Sequence, residues 1–192
     1  MKKETRHFGL DNLEVRANED DTLTIRGHAA VFNSLSEPLG GGQPFREKIA
    51  PGAFRDSVDG DVLAFWNHNS DVVLGRTPDT LRLSEDDVGL AFELDPPESR
   101  AAEIESIQRG DVRGVSFGFQ TLNDSWETID GEEIRTLEEV RLIEVSPTPL
   151  PAYPATDVGV AQRSREEWHE SVEVERLESW RTVKQRKLER YG

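Results

Sequence analysis

The stretch GVSFGF, Gly114 to Phe119, alternates between large apolar residues and small ones with the period of a β-strand. Because successive side chains on a strand point to opposite faces, the valine and the two phenylalanines share one face and Ser116 lies on the other. We expect the apolar face to cover a hydrophobic core and the hydroxyl of Ser116 to point away from it. The flanking glycines add no side-chain bulk beside Ser116, so a substrate could approach this hydroxyl closely.

A serine in this position has two interpretations, as an ordinary strand residue that contacts water or as a nucleophile. The stretch also matches the G-x-S-x-G nucleophile elbow of α/β-hydrolases. That motif requires a turn from strand to helix and a histidine that follows the serine and the acid. The first histidine after Ser116 is His169, in a highly charged C-terminal stretch. The pattern therefore disfavours an α/β-hydrolase and leaves both interpretations of Ser116 open.

His68 is a candidate general base. It ends the mostly apolar segment 61–68, which is typical of a short strand covered on both faces. Trp66 can shield one side of its ring, and a general base often occupies such a partly shielded position. The alternative is that His68 has a structural role or is merely exposed.

Glu144, in the sequence RLIEVS, is a carboxylate within an otherwise apolar strand. Strand alternation places Leu142 and Glu144 on one face, with Ile143 and Val145 on the other. A buried carboxylate needs an ion-pair or hydrogen-bond partner because an isolated buried charge is very costly. The partner is either an arginine such as Arg113 or Arg76, or a histidine that the carboxylate orients, as in a catalytic triad.

The remaining pattern predicts an α+β protein that is mainly β. Alternating apolar residues indicate strands near residues 13–15, 23–31, 81–83 and 90–94, and helical spacing indicates a helix over 99–108. Pro51 can begin a further short helix, and Asp130-Gly131 predicts a hairpin turn. Because strands and helices do not alternate, we expect a small antiparallel β-barrel or rolled sheet of about six to eight strands, with a few surrounding helices.

The segment 161–192 differs in character from the main domain, 1–160. Ser164 and Glu167 fit a capping box, and apolar residues from Trp168 onward recur every three to five positions. We expect a long, charged, amphipathic C-terminal helix. Its apolar side chains either pack on the main domain or dock on a partner, and the two alternatives stay open.

Composition excludes several function classes. A formal charge of −15, from 38 acidic and 23 basic residues, disfavours binding to nucleic acid. The chain has no cysteine and four scattered histidines, so we expect no disulfide, no thiolate nucleophile and no metal site. No nucleotide-binding glycine motif suggests a cofactor, and no apolar run approaches the length of a membrane span. Since no signal peptide is recognisable, we expect a cytoplasmic protein.

A set of short motifs in fixed order carries a family resemblance. The motifs are VFN (31–33), IAPGAF (49–54), WNH (66–68), LGRT (74–77), L-x-L-x-E-D-D-x-G-L (81–90), RGDVRGVSFGF (109–119), EVS (144–146) and PAYP (151–154). Over residues 8 to 160 the chain resembles the prohead proteases of tailed phages, which are similar in turn to the herpesvirus assembly protease.

The resemblance implies a serine endopeptidase, with residues 1–160 as its catalytic domain. By motif, Ser116 corresponds to the nucleophile, His68 to its base and Glu144 to the third member, a position where herpesvirus relatives use a second histidine. Gly118 and the LGRT loop with Arg76 are the candidates for oxyanion stabilisation.

The resemblance also implies a place of action and partners. Such proteases act in the host cytoplasm inside immature capsids, cleave the scaffold or the scaffold-like segment of the major capsid protein, and then themselves. The substrates expected are therefore these capsid components, with no nucleic acid or membrane partner and with a homo-oligomer as an option. We expect the C-terminal helix to direct the protease to the growing capsid. The alternative function is a non-enzymatic capsid-assembly or scaffold protein on the same fold.

Overall fold

The computed structural model describes residues 3–8, 13–20, 22–40, 44–149 and 159–191. The chain divides into two compact units, Met1–Val158 and Gly159–Gly192. The strands of the first unit are β1 (Glu4–Phe8), β2 (Glu14–Ala17), β3 (Leu23–Val31), β4 (Arg46–Ile49), β5 (Leu63–Trp66), β6 (Asn69–Arg76), β7 (Leu81–Glu85), β8 (Gly89–Leu94), β9 (Gly114–Ile129) and β10 (Glu132–Thr148). A 3₁₀ turn, Glu98–Arg100, leads into helix α1, Ala101–Gln108, and the second unit is helix α2, Gly159–Tyr191.

The strands form two sheets. The larger sheet has the order β1-β9-β10-β5-β6, with β4 also paired to β10, and it curls into a half-barrel. The smaller sheet has the order β2-β3-β8-β7. The expectation of a mainly β protein with a rolled sheet, a few helices and a long C-terminal helix is confirmed. The sheet is not wholly antiparallel, however, because β4 and β5 both pair with β10 in parallel.

The two longest strands of the larger sheet, β9 and β10, form a hairpin at its centre. Its turn is the predicted pair Asp130 and Gly131, whose φ angles of 51° and 84° suit a tight hairpin turn. Glycine adopts such angles without steric cost, and aspartate tolerates them better than most residues. The hairpin brings the RLIEVS segment beside GVSFGF.

The hydrophobic core lies against one face of this hairpin. Phe117 and Phe119 are fully buried there, with ring centroids 5.1 Å apart, and Phe54 meets Phe117 edge-on at 5.5 Å. The prediction that the phenylalanines of GVSFGF face the core is therefore confirmed. Burial of each such ring contributes roughly 1.5–3 kcal/mol, which fixes the face of β9 that is left for Ser116.

Two local predictions are wrong. Pro51–Asp59 forms successive turns instead of a short helix, with bonds such as the Ser57 amide to the Phe54 carbonyl at 2.8 Å. Ser164 does not cap a helix, because α2 already includes Gly159, five residues earlier. A strong local capping signal is overridden when the preceding residues also continue the helix.

Helix α2 also lacks the single apolar stripe that the sequence suggested. Val172, Val174, Leu177 and Trp180 are each between 45% and 60% exposed. At 100° per residue, Val172 and Leu177 lie about 140° apart around the helix axis, so these side chains point in different directions. Helix α2 has several apolar residues, but their irregular spacing prevents them from forming one continuous apolar face.

Candidate active site

Ser116 lies in the middle of the larger sheet. It pairs with the backbone of His7 on β1 and with Ser146 on β10. The residue is 0% exposed, and its hydroxyl donates a hydrogen bond of 2.7 Å to the carbonyl oxygen of Arg6. The prediction that this hydroxyl is accessible is therefore wrong for this conformation, since β1 covers the edge of β9 that would otherwise be open.

His68 occupies a tight turn between β5 and β6. Trp66 pairs with Asn69, so Asn67 and His68 are the two central residues, with φ angles of 51° and 61°. Asn and His are among the residues that adopt this left-handed region most readily. The Asn67 amide donates to the carbonyl of Pro147 at 3.0 Å, which fixes the turn against β10.

A β-bulge determines where Glu144 points. Leu142 pairs with Phe119, yet Glu144 pairs with Gly118, so Ile143 is an extra residue on β10. One inserted residue reverses the face of every side chain that follows it. Glu144 therefore leaves the face of Leu142, where uninterrupted alternation had placed it, and joins the face of Ser116. That expectation from simple alternation was wrong.

The carboxylate of Glu144 has three hydrogen-bond donors. Its Oε1 lies 2.7 Å from Nδ1 of His68 and 2.8 Å from Nζ of Lys3, and its Oε2 accepts from the Ser146 hydroxyl at 2.5 Å. Neither arginine considered as a partner is used, and Arg76 instead pairs with Asp61. The partners that the structure shows are therefore a histidine and a lysine, and the catalytic role of Glu144 stays a prediction.

Electrostatics favour an ionised Glu144. Burial on its own would raise the pKa of this carboxyl, but hydrogen bonds from His68, Lys3 and Ser146 outweigh burial and lower the pKa below its ordinary value of 4.5. A carboxylate that stays charged at neutral pH and binds Nδ1 holds the proton of a neutral imidazole on that nitrogen. Nε2 is then the atom available to accept a proton.

The structure does not join Ser116 to His68. Nε2 of His68 is buried and has no hydrogen-bond partner among the described residues, while the Ser116 hydroxyl is engaged with Arg6. The three predicted residues thus form one joined pair, His68 and Glu144, and one nearby serine. Ser146 connects them spatially, because it bonds to Glu144 and lies directly across from Ser116.

Two residues of this cluster were missed by the sequence reasoning. Ser146 had a readable signal, because residues two apart on a strand share a face and Ser146 follows Glu144 by two. Lys3 had none, since its partner is 141 residues away. The same close packing explains Gly118, where a Cβ atom would collide with the side chains of both Lys3 and Glu144.

The described ranges contain no group of three His, Cys, Asp or Glu side chains placed to hold a metal ion. Among the described residues, no helix combines the length and the apolar character needed to cross a membrane.

Comparison with known protein families identifies the class of this protein. The family model of the caudovirus prohead serine protease matches residues 11–171, which defines the chain as a serine peptidase at family level. More particularly, the chain belongs to the prohead serine protease family of tailed phages, whose members take part in capsid maturation. The family expected from the sequence motifs is thereby confirmed. No curated protein and no solved structure matches the chain.

Proposed function

We propose that this protein is a serine endopeptidase that acts inside immature phage capsids, with Ser116 as nucleophile, His68 as general base and Glu144 as the carboxylate that orients the base. The observation that carries the proposal is the 2.7 Å contact between Nδ1 of His68 and the buried Glu144. A purely structural carboxylate in this strand would gain as much from an arginine, whereas a histidine partner adds a side chain that can both accept and donate a proton.

The proposed reaction gives the three residues the roles of a catalytic triad. The oxygen of Ser116 attacks the carbonyl carbon of the scissile bond while Nε2 of His68 takes the hydroxyl proton. His68 gives that proton to the leaving nitrogen as the C–N bond breaks, and an acyl ester remains on Ser116. Water, deprotonated by His68, then hydrolyses the ester, which releases a carboxylic acid and restores the serine.

Glu144 has two tasks in this sequence of steps. It keeps the imidazole in the tautomer whose Nε2 can accept the proton, and it stabilises the imidazolium that results. Backbone amides would stabilise the oxyanion, with Gly118 on β9 and the LGRT segment at the end of β6 as candidates for donors.

The substrates proposed are the scaffold, or the scaffold-like segment of the major capsid protein, and the protease itself at the end of maturation. Family membership supports capsid components as substrates in general. Excess acidic charge supports a protein substrate over packaged nucleic acid, since a net charge of −15 repels phosphate.

Co-expression with the cognate major capsid protein tests the proposal. The expected result is a capsid protein shortened at one defined bond, seen by intact-mass spectrometry, with the protease incorporated in the same particles. Assembly of normal particles from an uncleaved capsid protein and a folded, wild-type protease would instead favour the non-enzymatic alternative.

A further inference from the structure

Strand β1 fills a position beside Ser116 that a substrate could fill. In the larger sheet β1 lies at the edge and pairs with β9, in antiparallel register from Glu4 opposite Phe119 to Phe8 opposite Val115. The family match begins at residue 11, so β1 precedes it. Without β1, the strand that carries Ser116 would present an unpaired edge, and such an edge binds extended peptides by backbone hydrogen bonds.

The contact between Arg6 and Ser116 sets the register of this occupant. The carbonyl oxygen of Arg6 accepts the Ser116 hydroxyl at 2.7 Å. A peptide bound in the same register would present the carbonyl of its corresponding residue to the nucleophile. Because Ser116 attacks a carbonyl carbon, that residue would stand on the N-terminal side of the bond to be cut.

A buried carboxylate receives the side chain of Arg6. The Arg6 guanidinium binds Glu47 with both of its edge nitrogens, Nε to Oε1 at 2.6 Å and Nη2 to Oε2 at 2.9 Å. Glu47 is only 4% exposed. The ring of Phe119 lies beneath the guanidinium, 5.5 Å from its carbon. This two-point geometry is selective for arginine, and lysine can satisfy it in part as a point charge.

Apart from Arg6 and Glu4, the charged residues of this pocket lie on strands other than β1. Glu47 lies on β4, while Arg135 on β10 bonds to both Glu47 and Asp124, at 2.9 Å and 2.6 Å. Removal of β1 would take away Arg6 and Glu4 and leave two carboxylates against one guanidinium. Glu47 would keep its bond to Arg135 but lose both bonds from Arg6, and a carboxylate in such a pocket favours a new positive side chain in place of the lost one.

We infer that this edge of β9 binds a substrate as an added strand, with Glu47 selecting a basic side chain, arginine above lysine, at the residue just before the scissile bond. This inference rests on the proposed function. In the present conformation β1 occupies the site and blocks it, since the Ser116 hydroxyl donates to a carbonyl oxygen instead of attacking carbon. Lys3 adds to the block because it shares Oε1 of Glu144 with His68.

A peptide series on the full-length chain tests the selectivity. Four capsid-derived peptides differ only at the residue before the cleavage site, which is Arg, Lys, Ala or Glu. We expect kcat/KM for the Arg peptide to exceed that for the Ala peptide by at least about 10-fold, the usual effect of a charged hydrogen bond, with Glu the poorest. Equal cleavage of all four overturns the inference and leaves the proposed function intact. If neither the peptides nor the capsid protein is cleaved, the inference and the proposed function are both contradicted.

Two pairs of variants test the pocket and the block. Glu47→Gln should reduce the preference for Arg over Ala at least about 10-fold, while Glu93→Gln, at an exposed ion pair with Arg82, should not. Arg6→Ala, which loosens β1, should raise turnover of the Arg peptide severalfold, while Arg26→Ala, at an exposed ion pair with Glu14, should not. If Glu47→Gln fails to fold, the peptide series on the Arg6→Ala chain decides the same question. Lower or unchanged turnover by a folded Arg6→Ala chain would contradict the inference that β1 blocks the substrate site.

Discussion

His68 and Glu144 are 76 residues apart in the sequence, and their side chains meet at 2.7 Å between Nδ1 and Oε1. Two local irregularities produce this contact. The turn at His68 holds two residues at positive φ, and the bulge at Ile143 reverses the direction of Glu144. Both are costly unless the surrounding structure fixes them, and such features concentrate at functional sites. The contact supports the proposal that His68 acts as a base.

Substitution of the base tests whether His68 and Ser116 work as one unit. We expect His68→Ala to lose cleavage as completely as Ser116→Ala. The double variant should have the same residual activity as either single variant, because the nucleophile and the base act only together. His28→Ala is a matched control, since His28 pairs with Asp86 on the smaller sheet. Initial rates on a capsid-derived peptide measure all four chains. Activity of His68→Ala within tenfold of wild type would assign the base elsewhere.

Glu144→Gln distinguishes an orienting carboxylate from a structural one. We expect kcat to fall on the order of 10²- to 10⁴-fold, because the amide no longer favours the reactive tautomer or stabilises the imidazolium. Glu138→Gln, on the same strand but exposed and bonded to Asn123 and Ser125, should keep normal kcat. Kinetics and thermal melts are run on one preparation. A lowered Tm with near-normal kcat in the folded fraction would make Glu144 structural.

Acid should destabilise the protein through Glu47. Burial alone would raise the pKa of Glu47, but the guanidiniums of Arg6 and Arg135 outweigh burial and lower it below its ordinary 4.5. A carboxyl with a lowered pKa in the folded state contributes stability above the unfolded value, and that stability is lost as pH falls through the folded value. Urea unfolding from about pH 7 to about pH 3 should show this decline, with a shallower slope in Glu47→Gln. An identical slope in both chains would contradict it.

The C-terminal helix should be needed for encapsidation and not for chemistry. The family match ends at residue 171, and α2 continues for another 20 residues to Tyr191. A chain that ends at Ser171 should keep its circular dichroism signal for the β-sheet and cleave a capsid-derived peptide, yet be depleted from particles. Loss of all peptide cleavage by the shortened chain would place α2 in the catalytic unit.

The sequence was informative where local chemistry dictates structure. Alternation in GVSFGF fixed the core face of β9, and Asp130-Gly131 located the hairpin turn, since both depend on neighbours in the chain. The bulge at Ile143 could not be predicted, because a single extra residue leaves no mark in an apolar run. The burial of Ser116 by β1 could not be predicted either, because it depends on a contact between Arg6 and Ser116, which are 110 residues apart in the sequence.

Ser116→Ala, measured against Ser146→Ala, tests the central claim most directly. Both serines are buried and lie opposite each other, so each substitution removes one hydroxyl from the same cluster at a cost of about 1 kcal/mol in folding. The readout is cleavage of the cognate capsid protein by each folded chain, followed by intact-mass spectrometry. We predict that Ser116→Ala loses cleavage by on the order of 10³-fold or more, whereas Ser146→Ala, which removes one hydrogen bond to Glu144, is less impaired and still cleaves the same bond. A folded Ser116→Ala chain that cleaves that bond at the wild-type rate would contradict the claim that Ser116 is the nucleophile.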